Sequence, residues 1–392
     1  MDRMNQGEKM RIAAKLACAG AVVLLAGCSA LNPFSHKAAP RNPPAALVNF
    51  KQTLPVHEQW STSIGSAGAF MFAPAVANDS VFVAAADGSL ARLDAASGRV
   101  LWNINTGMPL TAGVGSDGST VAVVGDEGML LAYDANGKLR WKAQASSEIL
   151  STPAVGQGLV VVRSVDNRIA AYDADSGNRR WIVQRPEPSL TLRSAPGIVI
   201  TGSSVIAGLP GGRLLSLALN NGGPRWEAVV GDPRGTTELE RIADISGTPV
   251  LAGGDVCAVA YQGRVACVDA NTGAPHWARA LSSDVGLGVD ERFIYAADDA
   301  GAVTAFSRNG GVGAWRNTKL ANRRLTAPVS VGSAVAVGDL QGYVHFLSRE
   351  DGALAARVAS DGSQVIAAIP LVAGKSAVFQ TQAGTVVALA AR

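Results

Sequence analysis

Charge is scarce in this chain of 392 residues: 17% of positions are Asp, Glu, Lys or Arg, and the formal net charge is +3. Lys and Arg form no run longer than pairs such as Arg179-Arg180 and Arg323-Arg324, so the basic footprint of a nucleic-acid binder is missing. Cysteine is scarce too. Cys18, Cys28, Cys257 and Cys267 include no adjacent pair and no Cys-x-x-Cys, which removes the common zinc and dithiol signatures. His36, His57, His276 and His345 are scattered, and neither His-x-x-x-His nor Gly-x-Ser-x-Gly occurs, so no metal-ligand set and no serine-hydrolase elbow is present. Aromatic residues are 5% of the chain, whereas glycine reaches 44 residues. Few charges and many glycines suit short strands joined by tight turns, since glycine supplies the positive φ that hairpins need.

The N-terminus reads as an address. Lys9, Arg11 and Lys15 precede an apolar run from Leu16 to Leu25, far short of the ~20 residues that cross a bilayer as a helix. The run ends in Leu25-Ala26-Gly27-Cys28, which resembles the bacterial lipobox, with Cys28 as the lipidated first residue of the mature chain. Lipoproteins with such a box carry three acyl chains, enough for the stable attachment that one chain does not give. Ser29 stands where an Asp would resemble an inner-membrane retention signal, so the outer membrane is the expected destination. Residues 32–46 lack apolar periodicity and carry four prolines, which is linker chemistry. The expected division is a signal peptide at 1–27, a lipidated, Pro-rich tether at 28–54, and one folded domain at 55–392.

That domain is a repeat. The segment Asp87-Gly88 to Trp102 and the segment Gln262-Gly263 to Trp277 share one frame: a Gly turn, an alternating strand, a polar turn ending in Gly, and a Trp four residues later. The frame recurs at Gly128…Trp141 and Asn167…Trp181, and more weakly at Gly212…Trp226 and Gly301…Trp315. All seven tryptophans, at 60, 102, 141, 181, 226, 277 and 315, occupy the same position of the frame. A further copy, Gly342…Gly352, has Ala356 where Trp is due, and a last half-copy at 384–389 stops before its final strand. The missing strand is present at the other end, as Val56-His57-Glu58-Gln59-Trp60. Each unit reads as four short strands that cannot bury both faces alone, so neighbours must stack. A ring leaves only short protected edges, unlike a linear stack. The expectation is therefore an all-β, eight-bladed propeller of four-stranded antiparallel blades, closed by the N-terminal strand. Each Trp is expected to lie flat on the neighbouring blade with its N–H bonded. Asp94, Asp134, Asp173 and Asp269 recur with the units and read as turn residues bonding their own backbone.

The frame Asp-x-x-[Ser/Thr]-Gly-x-x-x-Trp resembles the tryptophan-docking repeat of quinoprotein dehydrogenases and of a wider superfamily of eight-bladed propellers. With the lipobox and this length, nearly the whole chain resembles the BamB family, propeller lipoproteins of the bacterial β-barrel assembly machinery. The resemblance implies a non-catalytic scaffold without cofactor or metal, lipid-anchored at the periplasmic face of the outer membrane. It implies binding to the POTRA region of BamA, the machinery's central barrel subunit, and help in inserting unfolded outer-membrane protein clients. Trp spacing widens to 45 between Trp181 and Trp226 and to 51 between Trp226 and Trp277, marking two long connections, and insertions in repeats map to loops on binding faces. Read from the residues alone, Leu190 and Leu192 fit either an exposed anchor or the start of the next inner strand. The family pattern places partner-binding residues at Leu190, Leu192 and Arg193 in one connection and at Asp244 in the next. Ser246 stands where the family often carries a second acid, which leaves the charge of that loop in question.

Two other functions fit the fold class. A quinone-dependent dehydrogenase would need a catalytic carboxylate, a Ca²⁺ site and usually adjacent cysteines, and no two of the four cysteines are adjacent. A propeller binding a small ligand or peptidoglycan would need convergent polar groups around its axis. Cys257 and Cys267 flank the turn at Gln262-Gly263, so an oxidising periplasm permits a disulfide across the hairpin. A register shifted by one residue would put the two on opposite faces.

Overall fold

The computed structural model describes residues 42–186, 188, 190–192, 196–370 and 375–391; Cys28 with the signal and most of the tether, and also Arg193, lie outside the described residues. One folded unit runs from Pro44 to Arg392. Its strands form eight four-stranded sheets, each ordered as its strands follow in the chain except one. Blades 1 to 7 span residues 75–105, 115–144, 154–184, 198–229, 245–280, 287–317 and 329–359. Blade 8 combines Val365–Pro370, Ser376–Thr381 and Thr385–Ala391 with Val56–Ser63, whose antiparallel register pairs Val56 with Ala391 and Ser63 with Thr385. The first strand of each blade touches the first strand of the next from blade 1 to blade 8, so first strands are innermost and fourth strands outermost. Alternation of antiparallel strands then sorts the connections. Blade-to-blade connections and the turns between second and third strands share one face; the other turns share the opposite face.

The blades adhere through the repeat that the sequence displays. Second and third strands are buried on both sides, as in Thr120–Val124 and Met129–Asp134, and read as nearly continuous apolar runs. Every indole N–H donates to a carbonyl of the following blade: Trp60 to Ala95, Trp102 to Ala135, Trp141 to Ala174, Trp181 to Leu219, Trp226 to Ala270, Trp277 to Arg308 and Trp315 to Arg349, at 2.8–3.1 Å. Each ring lies on the glycine of the neighbour's outer turn. At Gly177 the reason is doubled: φ is +73°, and a Cβ there would stand 2.6 Å from Trp141 Cδ2. The repeated aspartates hold those turns. Asp94, Asp173 and Asp269 each accept from the backbone N–H three residues on and from that residue's hydroxyl.

Ala356 stands in the tryptophan position because of how the ring closes. The turn on which a tryptophan of blade 7 would dock does not exist in blade 8, whose third and fourth strands come from opposite ends of the chain. Ala356 is fully buried, and Leu54 fills the seam with Ala355, Phe346 and Leu389. Burying such a leucine stabilises by about 1.5–3 kcal/mol. Residues 44–55, mostly expected in the tether, thus form a strap along the outer strand Leu354–Ala359. Thr53 and Leu54 donate backbone N–H groups to Ala355 O at 2.9 and 3.3 Å. Arg357 donates to Val48 O at 3.0 Å with its guanidinium 5.2 Å above the Phe50 ring centroid. The strap begins at the face of the blade-to-blade connections, where Ala45 N–H meets Ala321 O at 2.9 Å and Arg323 donates to Ala45 O at 2.8 Å.

In blade 5, Cys257 and Cys267 stand directly opposite each other on the second and third strands and are joined by a disulfide, Cα to Cα 4.1 Å. Both are buried, against Trp277 and Phe306. It is a cross-strand staple within the core of one blade.

Candidate functional site

The long connections lie side by side on one face, at the two edges of blade 4. The connection from blade 3 carries Leu190 and Leu192, and the inner strand it feeds begins only at Ile198, so neither leucine starts that strand. Leu190 is 42% exposed and Leu192 half-buried. The connection from blade 4 to blade 5 spans residues 230–244 and exposes Leu239 at 68%. The loop beneath it is ordered by its own polar groups. Thr236 and Thr237 N–H donate to the Glu240 carboxylate at 2.8 and 3.1 Å, and these bonds draw its pKa below the ordinary carboxylate range. Arg264 Nε donates to Val230 O at 2.8 Å, and Arg241 Nε to Gly235 O at 3.1 Å.

Asp244 joins the two connections. It is 2% exposed, so its charge is not presented at the surface. Its Oδ2 accepts from Leu192 N–H at 2.6 Å and its Oδ1 from Gly211 N–H at 2.9 Å, while its carbonyl accepts from Tyr261 N–H at 2.9 Å. One residue therefore ties the leucine loop to the turns of blades 4 and 5. Burial pushes its pKa up, against the two backbone N–H groups and the nearby Arg163. The family pattern pointed to the residue; that its carboxylate is spent on backbone needs the fold. Ser246 is also buried and donates to Ser283 O at 2.7 Å, pinning blade 5 to the connection into blade 6. A neutral hydroxyl serves there because the acceptor is a carbonyl. No free acidic pair is thus formed by residues 244 and 246.

A pocket of about 700 Å³ opens on the opposite face between blades 5 and 8, walled by Val250, Leu287, Val289 and Val329. The polar groups at its rim answer one another. Asp290 accepts from the Tyr295 hydroxyl at 2.7 Å and pairs with Arg349 at 2.9 Å, and Arg349 also pairs with Glu291. Burial, then the Asp290 bond, raises the Tyr295 pKa. Among the described residues no group of three or more His, Cys, Asp or Glu is placed to hold a metal ion. No described helix is long and apolar enough to cross a membrane.

Sequence reasoning missed a buried polar cluster in blade 7. Arg323, Asp339 and His345 are 2%, 0% and 0% exposed, and Asp339 Oδ2 lies 2.7 Å from both Arg323 Nε and His345 Nε2. These residues come from a connection, a turn and a strand, and no local pattern links them.

Comparisons with known proteins agree over almost the full length. The family model described as outer membrane protein assembly factor BamB matches residues 57–109, 86–317 and 299–392. The chain is 44% identical over 374 residues to the outer membrane protein assembly factor BamB of Bordetella pertussis, covering 94% of this chain and 96% of that one. It is similar to the crystal structure of BamB from Moraxella catarrhalis, with a TM-score of 0.78 and 26% identity, over 86% of this chain and all of the other. The quinohemoprotein alcohol dehydrogenase of Comamonas testosteroni matches with a TM-score of 0.67 and 13% identity, over 86% of this chain and 76% of that one, and shares the fold alone.

Proposed function

The chain belongs to the family of the outer membrane protein assembly factor BamB, and on that footing we propose that it is a non-catalytic scaffold of outer-membrane protein assembly, docking on BamA through the face that carries its long connections. Leu190 and Leu192 are the apolar anchor, Arg193 the neighbouring cation, and Asp244 the residue that positions the loop. The observation carrying this reading is the bond from Leu192 N–H to the buried Asp244 carboxylate, which fixes a half-exposed leucine loop in place. Preorganisation of that kind lowers the ordering penalty of binding, and a few central side chains carry most interface energy. The family's named role is assembly and not catalysis. Residues 1–27 serve as export signal, and Cys28 carries the lipid that holds the protein at the periplasmic face of the outer membrane. Unfolded β-barrel clients are the material on which the assembly works.

The test is co-purification with BamA from membranes. Leu190→Ala with Leu192→Ala should abolish it while the thermal midpoint stays near wild type, because neither side chain belongs to a blade core. A lowered midpoint with retained binding would return the leucines to a packing role and sink the docking site. Asp244→Asn should weaken binding in the same direction by about tenfold or more, the scale set by losing one charge-assisted bond.

A further inference from the structure

We propose that residues 44–55 form an acid-released clasp on blade 7, in which protonation of His345 expels the Arg357 side chain that holds the strap. Asp339 accepts four hydrogen bonds: from Arg323 Nε, from His345 Nε2, and from the N–H groups of Gln341 and Tyr343 at 2.8 and 3.0 Å. A ring that donates from Nε2 to a carboxylate keeps Nδ1 as its acceptor in the neutral form. That Nδ1 faces Arg357 Nε at 3.4 Å. The same guanidinium reaches the strap at Val48 O and Phe50. The imidazole is thus the seat against which the strap-holding arginine rests.

The charged groups facing the ring are Asp339 from the turn after the second strand, Arg323 from the connection out of blade 6 and Arg357 from the outer strand. On the ring's own strand Tyr343 stands 6.3 Å away, ring to ring, and Val337 is its neighbour on the second strand. The strap supplies the carbonyls of Ala45 and Val48 to the two arginines. Burial holds the His345 pKa below the ordinary imidazole value, reinforced by Arg357 and Arg323 and opposed by Asp339. A proton on Nδ1 replaces an acceptor with a donor and leaves three cations around one carboxylate. Arg323 is sealed in by Asp339, Gln341 and Ala45, whereas Arg357 is only half-buried and has a path to water. Arg357 is therefore the group that yields. The sign follows. With the clasp shut the ring binds its proton more weakly than when the strap is free, so acid favours release. The window opens as pH falls below about 6.5, the ordinary imidazole value.

Amide hydrogen exchange on the full chain tests this, as protection factors corrected for intrinsic rates at about pH 7.5 and about pH 5.5. The amides of Ala45, Thr53 and Leu54 should lose protection by about tenfold or more on acidification, while strand amides of blades 2 to 5 keep theirs. His345→Gln, which retains an N–H for Asp339 but does not titrate, should show no pH difference in the strap. Arg357→Gln should give low strap protection at both pH values with the blades intact. The proposal is overturned if the wild-type strap is equally protected at both, if His345→Gln keeps the acid response, or if Arg357→Gln leaves neutral-pH protection unchanged. Should His345→Gln fail to fold, the wild-type and Arg357→Gln measurements still decide.

Discussion

Two glycines of blade 3 allow the tryptophan seam to be weighed. Gly158 and Gly177 have the same φ of +73°, yet nothing lies within 4 Å of a Cβ on Gly158, whereas one on Gly177 would meet Trp141 Cδ2 at 2.6 Å. Alanine at either position pays the left-handed backbone strain of about 1–2 kcal/mol. Only Gly177→Ala must also lift the indole. A buried aromatic covers ~200 Å², worth about 5 kcal/mol at ~25 cal/mol per Å²; freeing half removes about 2.5 kcal/mol. Losing the Trp141 bond to Ala174 O adds about 1 kcal/mol. Gly177→Ala should therefore destabilise by about 4.5–5.5 kcal/mol and Gly158→Ala by about 1–2. The difference is read as a shift in the guanidinium midpoint, with coincident fluorescence and circular-dichroism transitions and an unchanged m-value. In a Trp141→Leu background the two glycine substitutions should become nearly equal. A difference below about 1 kcal/mol between the single variants would refute the account of how the blades adhere.

Installing the absent eighth indole, Ala356→Trp, should destabilise by about 1–3 kcal/mol through overpacking against Leu54, since no turn awaits it; a raised melting temperature would contradict the seam geometry. Reducing the Cys257–Cys267 bond should lower stability by about 2–3 kcal/mol, as for a short closed loop, with the eight sheets retained by circular dichroism. The turn aspartates Asp94, Asp134, Asp173 and Asp269 have pKa values below the ordinary carboxylate range, Asp173 at about 2; hydroxyl and backbone hydrogen bonds hold down Asp94, Asp173 and Asp269, and backbone hydrogen bonds hold down Asp134. Folded values beneath unfolded ones stabilise above the unfolded value of about 3.9, and that support is lost as pH falls toward 2. Asparagine at all four turns should flatten the stability–pH curve in that range; an unchanged acid limb would show that other carboxylates govern it.

The ring was legible because its determinants are local and repeated. Seven tryptophans at one frame position, glycines at a fixed offset and a half-copy at each end specify count, order and closure. The exception at Ala356 was visible too, but its cause was not, because it lies in which turn blade 8 lacks. The strap escaped for a related reason. Residues 44–55 follow the Pro-rich stretch 32–46 and carry no copy of the repeat frame, and only Leu54 meeting a seam some three hundred residues onward gives them a place. At Asp244 the Trp spacing marked only the connection and the family resemblance picked the residue, while the direction of its side chain stayed open. A carboxylate turned outward to a partner and one turned inward to Leu192 N–H look alike in a string of letters. His345 and Asp339 lie six residues apart, but Arg323 joins them from another blade's connection, which no periodicity reports.

The strap also sets an order of failure under load. It reverses direction before Val56, so a pull applied at Pro44 acts first on a few bonds to Ala321, Arg357 and Ala355, peeled one after another. The closing strand, with its run of pairs from Val56–Ala391 to Ser63–Thr385, is strained only after that segment has come away. Tension would thus lengthen the molecule by the span of the strap while its ring stayed shut, a fuse in series with the circle.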